Sequence, residues 1–356
     1  MIKKSTSLLI LCICLNACVK PHVVTIAGSG VNGTIDGPAK QALLANPFGV
    51  VRGPDGALWF CEYDGHTVRR IDKEGNIKTI VGNGVAGYSG DGKAAIEASL
   101  NKPHEIRFDS NGDLYIADMT NQVIRKVDMI SGKISTVAGN GKAGFSGDGG
   151  SAIEAQLKNP HSIQFGPDGN MYIADVGNHR VRVVDMISGT INTLAGNGET
   201  GPTPDGVSFK NIPLNGPRSL DFDNNGDIWL VLKIANQIFR LDLESERIFH
   251  VAGTGEKGFS GNGGDARYAQ LSGPKGIAIA KNGNVFIADT ESHSVRVIDI
   301  KSGVIDVLVG TGERFDGEDG DPLLCGLARP HGVYVENDGS VLIGDSENHK
   351  IRVWWP

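Results

Sequence analysis

Cysteine is scarce in this chain: 356 residues contain five, and Cys12, Cys14 and Cys18 all fall within the first eighteen positions. Cys61 and Cys325 cannot scaffold so large a body, which excludes a disulfide-built secreted domain. In an oxidising compartment they would form one staple at most. Basic charge is not in surplus either, with 34 Lys and Arg against 41 Asp and Glu and a formal net charge of −7. Nucleic acid is therefore not an expected partner, and the electrostatic signature of a protein adsorbed to anionic lipid is missing. No apolar run is long enough to span a bilayer. No Gly-rich segment opens a long helix that would cradle phosphate, and neither a nucleophile elbow nor a His-Glu-x-x-His pattern occurs. Glycine, by contrast, is abundant at 50 residues, about twice the average usage of roughly 7 %. The glycines have no period of three and apolar runs recur throughout, so collagen and generic disorder are excluded.

Residues 1–17 combine a basic start at Lys3 and Lys4, an apolar run over residues 8–15 and the small Ala17 before Cys18. This is the pattern of a secretory signal peptide. Leu15-Asn16-Ala17-Cys18 resembles the bacterial lipoprotein box. That resemblance implies diacylation of Cys18, a lipidated tether over residues 18–22, and an exported protein held on the periplasmic or cell-surface side of a bacterial membrane by its N-terminal lipid only. Ordinary secretion with cleavage near Ala17 is the alternative.

The glycines punctuate a repeat. Pro47, Pro103, Pro160, Pro217, Pro274 and Pro330 recur at intervals of 56 or 57 residues. Each opens an apolar alternating run, followed by an Asn-Gly or Asp-Gly turn such as Asn111-Gly112 and then by further runs such as Leu114-Tyr115-Ile116-Ala117-Asp118. Such dipeptides accept positive φ and read as tight hairpins, giving four antiparallel strands per unit. The last unit supplies only three, and residues 23–28 match the missing fourth. The expected architecture is all-β, a six-bladed propeller over residues 23–356, closed by the N-terminal strand completing the last blade. Closure hides the edges an open solenoid would expose, and a monomer is expected.

Leu114-Tyr115-Ile116-Ala117-Asp118 with Asn121, and Met171-Tyr172-Ile173-Ala174-Asp175 with Asn178-His179-Arg180-Val181-Arg182, resemble NHL repeats, and the resemblance runs over residues 23–356. Blade four departs, with Ile228-Trp229-Leu230-Val231-Leu232 lacking the Asp. Blade one, with Leu58-Trp59-Phe60-Cys61-Glu62, is similar to a blade of the streptogramin lyases, whose shorter repeats carry no chemistry over to this chain.

Alternation places the residue after each proline at the channel mouth: Phe48, His104, His161, Arg218, Lys275 and His331. Phe48, Arg218 and Lys275 are candidate contacts for a protein or small-molecule ligand. Three neutral imidazoles on one axis are a candidate site for zinc or another divalent metal. The peptidyl-amidoglycolate lyases are similar here, and this resemblance implies a ligand role for His104, His161 and His331, although blades two, three and six are not evenly spaced. Hydrogen bonding of these histidines to backbone is the alternative. Binding is the leading function. A metal-dependent lyase or hydrolase is the other reading, with Glu62 or Glu105 as base and Arg218 or Lys275 steadying negative charge. His66, His179, His293 and His349 read as exposed turn caps. Asp118, Asp175, Asp289 and Asp345, each seven residues before an arginine, read as an internal ladder. In the loops between blades, Tyr88, Phe145 and Phe259 are expected to plug inter-blade gaps, and Asp148 to start a short helical turn.

Overall fold

A computed structural model describes residues 20–356 as six antiparallel sheets arranged in a ring. The leader over residues 1–17 and the lipidation position Cys18 lie outside the described residues. Blade two represents the rest: Pro103–Phe108, Leu114–Asp118, Val123–Asp128 and Lys133–Ala138 pair in that order. Its first hairpin turns on Gly112 at φ 85°, the left-handed conformation that such turns require. Three sheets gain a fifth, two-residue strand from the preceding loop (Gly37–Pro38, Gly150–Ser151 and Gly264–Asp265), which the four-strand repeat does not contain.

The ring closes as the repeat requires. His22–Ala27 pairs antiparallel with Lys350–Trp355, His22 opposite Trp355 and Ala27 opposite Ile351. The strand thus starts one residue inside the segment assigned to the tether. Its outer edge is covered as well, since Val23 and Gly320 exchange backbone hydrogen bonds of 2.8 and 2.9 Å, so the seam leaves no bare sheet edge. Among the described residues no helix is long and apolar enough to cross a membrane.

The core lies between blades. Trp59, Ile106, Leu114 and Ile116 fill one gap, Tyr172, Leu220, Leu230 and Phe239 another, and Ala27, Leu44, Phe60 and Leu342 the seam. Cys61 and Cys325 are buried in two different gaps and are free thiols, so the staple allowed by the sequence does not form. Each outer strand is followed by glycine, and a Cβ on Gly139 (φ 86°) would sit 2.3 Å from the Gln122 carbonyl oxygen. Only glycine lets the strand pass over the neighbouring turn.

That turn latches the blades together. His66, Gln122, His179, Asn236, His293 and His349 occupy its left-handed position at φ 51–60°. Each accepts a backbone N–H from the following blade: His66 from Lys102 (3.1 Å), Gln122 from Asn159 (2.6 Å), His179 from Gly216 (3.3 Å), Asn236 from Gly273 (2.8 Å), His293 from Arg329 (3.2 Å) and His349 from Asn46 (3.2 Å). The four histidines are half-buried connectors rather than exposed caps.

The internal ladder is present. Asp118–Arg125, Asp175–Arg182, Asp289–Arg296 and Asp345–Arg352 lie 3.5, 3.4, 3.8 and 2.8 Å apart with all eight side chains fully buried. The arginines reach on into the inter-blade loops, where Arg182 holds Asp148 at 2.6 Å and Arg125 holds Asp91 at 2.6 Å. Asp148 is therefore an arginine partner, not a helix starter; Ser151 precedes the short turn Ala152–Glu154 without a side-chain cap. The loop aromatics lie over these arginines instead of plugging gaps. Arg125 stands 5.1 Å from the Tyr88 ring centre, Arg182 4.9 Å from Phe145 and Arg296 5.6 Å from Phe259.

Candidate functional site at the channel mouth

Local backbone irregularity delivers the site. In blade two Pro103 faces Asp118 and Glu105 faces Ala117, leaving His104 as the extra residue of a β-bulge; His161 and Arg218 are left out of their ladders in the same way. A bulge re-aims its side chain, and these three meet at the channel axis. Blade one places its irregularity one step later, at Gly49 (φ 37°), where a Cβ would come within 2.8 Å of the Glu105 Cα.

The structure brings together all six residues that follow the prolines. Phe48 is buried, its ring stacked 3.9 Å from His331 and 4.7 Å from Tyr63, with His104 edge-on at 4.9 Å. His104 and His161 lie edge to face at 4.6 Å. Arg218 crosses the axis from blade four, and its Nη2 donates to His104 Nε2 at 2.6 Å. Lys275 Nζ donates to Glu291 Oε1 at 2.8 Å and to His331 Nε2 at 3.2 Å. The other ring nitrogens, Nδ1 of His104 and of His331, donate to the carbonyls of His161 (2.9 Å) and Arg329 (2.8 Å). This pattern requires both imidazoles to be neutral, and burial, reinforced by the cations, holds both well below their ordinary range. Burial also brings Lys275 down to about 7 against the pull of Glu291, with Arg218 adding to the fall.

The metal expectation fails on this donor set. The Nε2 lone pairs of His104 and His331 point at cations, and their Nδ1 atoms are engaged with backbone. Among the described residues no three His, Cys, Asp or Glu side chains are grouped to hold a metal ion. Of the two carboxylates assigned as bases, Glu62 lies in the blade-one rung of the ladder, 2.8 Å from Arg69 and fully buried, and is no part of the mouth. Glu105 sits one step below the ring, paired with Arg107 at 2.5 Å. It lines a narrow space of about 20 Å³ beneath His104, Lys275 and His331, room for about one water. The channel is therefore narrow just below its mouth.

Sequence reasoning missed the second circle of the mouth. Tyr63, Lys233, Glu291 and Glu347 come from the turns after the second strands, and Arg329 precedes the last proline. Arg329 is held by Glu291 and Glu347, each at 2.7 Å. These positions vary from blade to blade, so the repeat itself carried no signal for them. At the opposite end a polar funnel of about 310 Å³ is lined by Arg107, Gln164, Asp221 and Tyr334 among others. Asp221 there is satisfied by Gln164 and by two backbone N–H groups.

The family models matched are the Teneurin NHL domain, over residues 140–185 and 242–325, and the NHL repeat, over residues 327–354. Protein SUPPRESSOR OF QUENCHING 1, chloroplastic, of Arabidopsis thaliana is 31 % identical over 295 residues, covering 79 % of this chain and 27 % of that protein. NHL repeat-containing protein 2 of Homo sapiens is 26 % identical over 319 residues, covering 81 % and 43 %. The chain thus spans less than half the length of these curated relatives. Among solved structures, an auxiliary nutrient binding protein from Bacteroides thetaiotaomicron superposes with a TM-score of 0.69 at 17 % identity, covering 94 % of this chain and 76 % of that one. A virginiamycin B lyase from Staphylococcus aureus superposes at 0.53 and 18 %, covering 88 % and 83 %. With its own six blades and these matches, the chain is a six-bladed β-propeller built from NHL-type repeats.

Proposed function

We propose that the chain is an exported, lipid-anchored binding protein that takes its ligand at the channel mouth. The observation carrying this reading is the mouth's composition: Arg218, Lys233, Lys275 and Arg329 outnumber Glu291 and Glu347 around Tyr63 and three imidazoles, on a chain whose net charge is −7. Concentrating one sign of charge against the average of the molecule focuses the field at one opening. Strand direction supports the anchored geometry. The N-terminal strand begins at His22, beside Trp355, on the face opposite the mouth. Lipid on Cys18 would hold that face toward the membrane and present the mouth outward. The fully exposed Ile130 and Ile187 sit at hairpin tips on the membrane-directed side. A nutrient-binding role, named for one structural neighbour, is compatible with such a display, since a propeller hosts function through the site grafted on it.

Thermal shift of the full chain against a panel of neutral, cationic and anionic metabolites tests the site. A stabilising ligand is expected, its effect abolished by Tyr63→Ala or Lys275→Met and retained in Ile187→Ser. Stabilisation indifferent to the mouth substitutions would remove the site. Labelling with an alkyne fatty acid in a bacterial host, lost in Cys18→Ser, tests the anchor.

A further inference from the structure

Five arginines of this protein, Arg69, Arg125, Arg182, Arg296 and Arg352, are completely buried, and each faces a buried carboxylate. Arg218 is 6 % exposed and makes no ion pair among the described residues. Its one side-chain contact is the neutral His104. Lys275 also rests against a neutral imidazole, His331, but differs in having a carboxylate, Glu291, as its second partner. A neutral imidazole that accepts a hydrogen bond holds a cation in place without cancelling its charge, whereas a carboxylate does both.

The surroundings leave that charge standing. Arg218, Lys233, Lys275 and Arg329 share the mouth with Glu291 and Glu347, and both acids are already taken, Glu291 by Lys275 and Arg329, Glu347 by Arg329 and Arg314. Lys233 is half-buried, and among the described residues its ammonium makes no direct ion pair, Glu291 acting on it only from a distance. Two cations therefore remain without a carboxylate partner of their own, one of them almost wholly out of water. An unpaired buried charge is expensive, and removing it would stabilise the empty protein, so the arrangement makes physical sense when an anion arrives to complete it.

We infer that the channel mouth is an oxyanion site, and that the ligand presents a carboxylate or phosphate group to Arg218 with Lys233 and Lys275 around it. This rests on the mouth being the binding site and adds the ligand's class. The group sits on the ring and not within it, because the space below admits only about one water. Tyr63, stacked on Phe48 and lying under Lys102 Nζ at 5.0 Å, borders the site.

Titration calorimetry of the full chain at low ionic strength tests it, with citrate and inorganic phosphate as anionic probes and glucose as the neutral one. Saturable binding of citrate or phosphate is expected, weakening with added salt and at least tenfold weaker in Arg218→Gln and in Lys275→Met. Which anion binds separates carboxylate from phosphate recognition. Arg218→Gln is also expected to melt at or above the parent temperature without ligand, which distinguishes a lost site from a lost fold. Binding of neither anion, or equal affinity in parent and Arg218→Gln, overturns the oxyanion assignment. A neutral ligand that binds and is lost on Tyr63→Ala would overturn it too, while leaving the mouth as the site.

Discussion

Arginine is used in two opposite ways in this molecule, and the difference is set by its partner. In the ladder, burial pushes the carboxyls of Asp118, Asp175 and Asp289 up to about 6 despite the adjacent guanidinium. Desolvation opposes the Coulombic gain there, and a buried pair of this kind is often no better than a well-packed apolar pair. Blade four uses the apolar alternative, with Leu232 and Phe239 in the positions of the Asp and Arg, both fully buried. What a rung does add is reach: one carboxylate oxygen of Asp175 accepts the Lys158 N–H at 2.7 Å, while Arg182 ties the loop at Asp148. Removing one partner strands the other, and Arg182→Leu is expected to destabilise by about 3 kcal/mol or more. The double change Asp175→Leu with Arg182→Phe, copied from blade four, is expected to recover a large part of that loss. Denaturant unfolding of the two variants checks it, and additive losses would show that the rung is a net stabiliser.

At the scale of elements, the turn after each second strand decides how blades are joined. Four of its six left-handed positions carry histidine, and each accepts an N–H through Nδ1, which only the uncharged ring can do. Burial lowers all four from their ordinary 6.5. Because the unfolded chain binds these protons more readily, the contribution is intact above about pH 6.5 and is lost as pH falls below it. The raised ladder carboxyls act in the opposite sense between their folded and unfolded values, so total stability is a poor readout. The difference between two proteins is a clean one. With His66, His179, His293 and His349 all replaced by Asn, the residue blade four uses at Asn236, stability is expected to match the parent at pH 8. It is expected to exceed the parent at pH 5, by about 1 kcal/mol per latch. Parallel melting curves for parent and variant at both pH values would refute the latch titration.

For the whole molecule, the ring depends on a strand distant in sequence from its partner. His22–Ala27 supplies Val23 and Ala27 to the core and pairs along its length with Lys350–Trp355. Deleting residues 20–27 exposes the edge of Lys350–Trp355 and opens the seam cluster, and the product is expected to aggregate. A synthetic peptide covering residues 20–29, added during refolding, is expected to restore a soluble monomer by size-exclusion chromatography. Soluble, unchanged behaviour of the deleted chain would show that closure is dispensable.

Six prolines at near-constant spacing, Asn-Gly and Asp-Gly turns, and a final unit one strand short were enough to establish blade number, strand order and closure, because each is a local rule repeated six times. Alternation likewise identified the ring of Phe48, His104, His161, Arg218, Lys275 and His331. Which partners the ring's side chains take is decided by contacts between blades. Whether an imidazole nitrogen faces a metal or a guanidinium depends on Arg218 crossing the axis to His104, 114 residues away in sequence. Glu62 looked like a base until its own arginine was seen beside it, and the turn histidines looked exposed until the next blade's N–H groups arrived. Periodicity carries the backbone's obligations, which are local; charge compensation and hydrogen-bond partnership are pairwise across the ring, and only the closed tertiary structure assigns them.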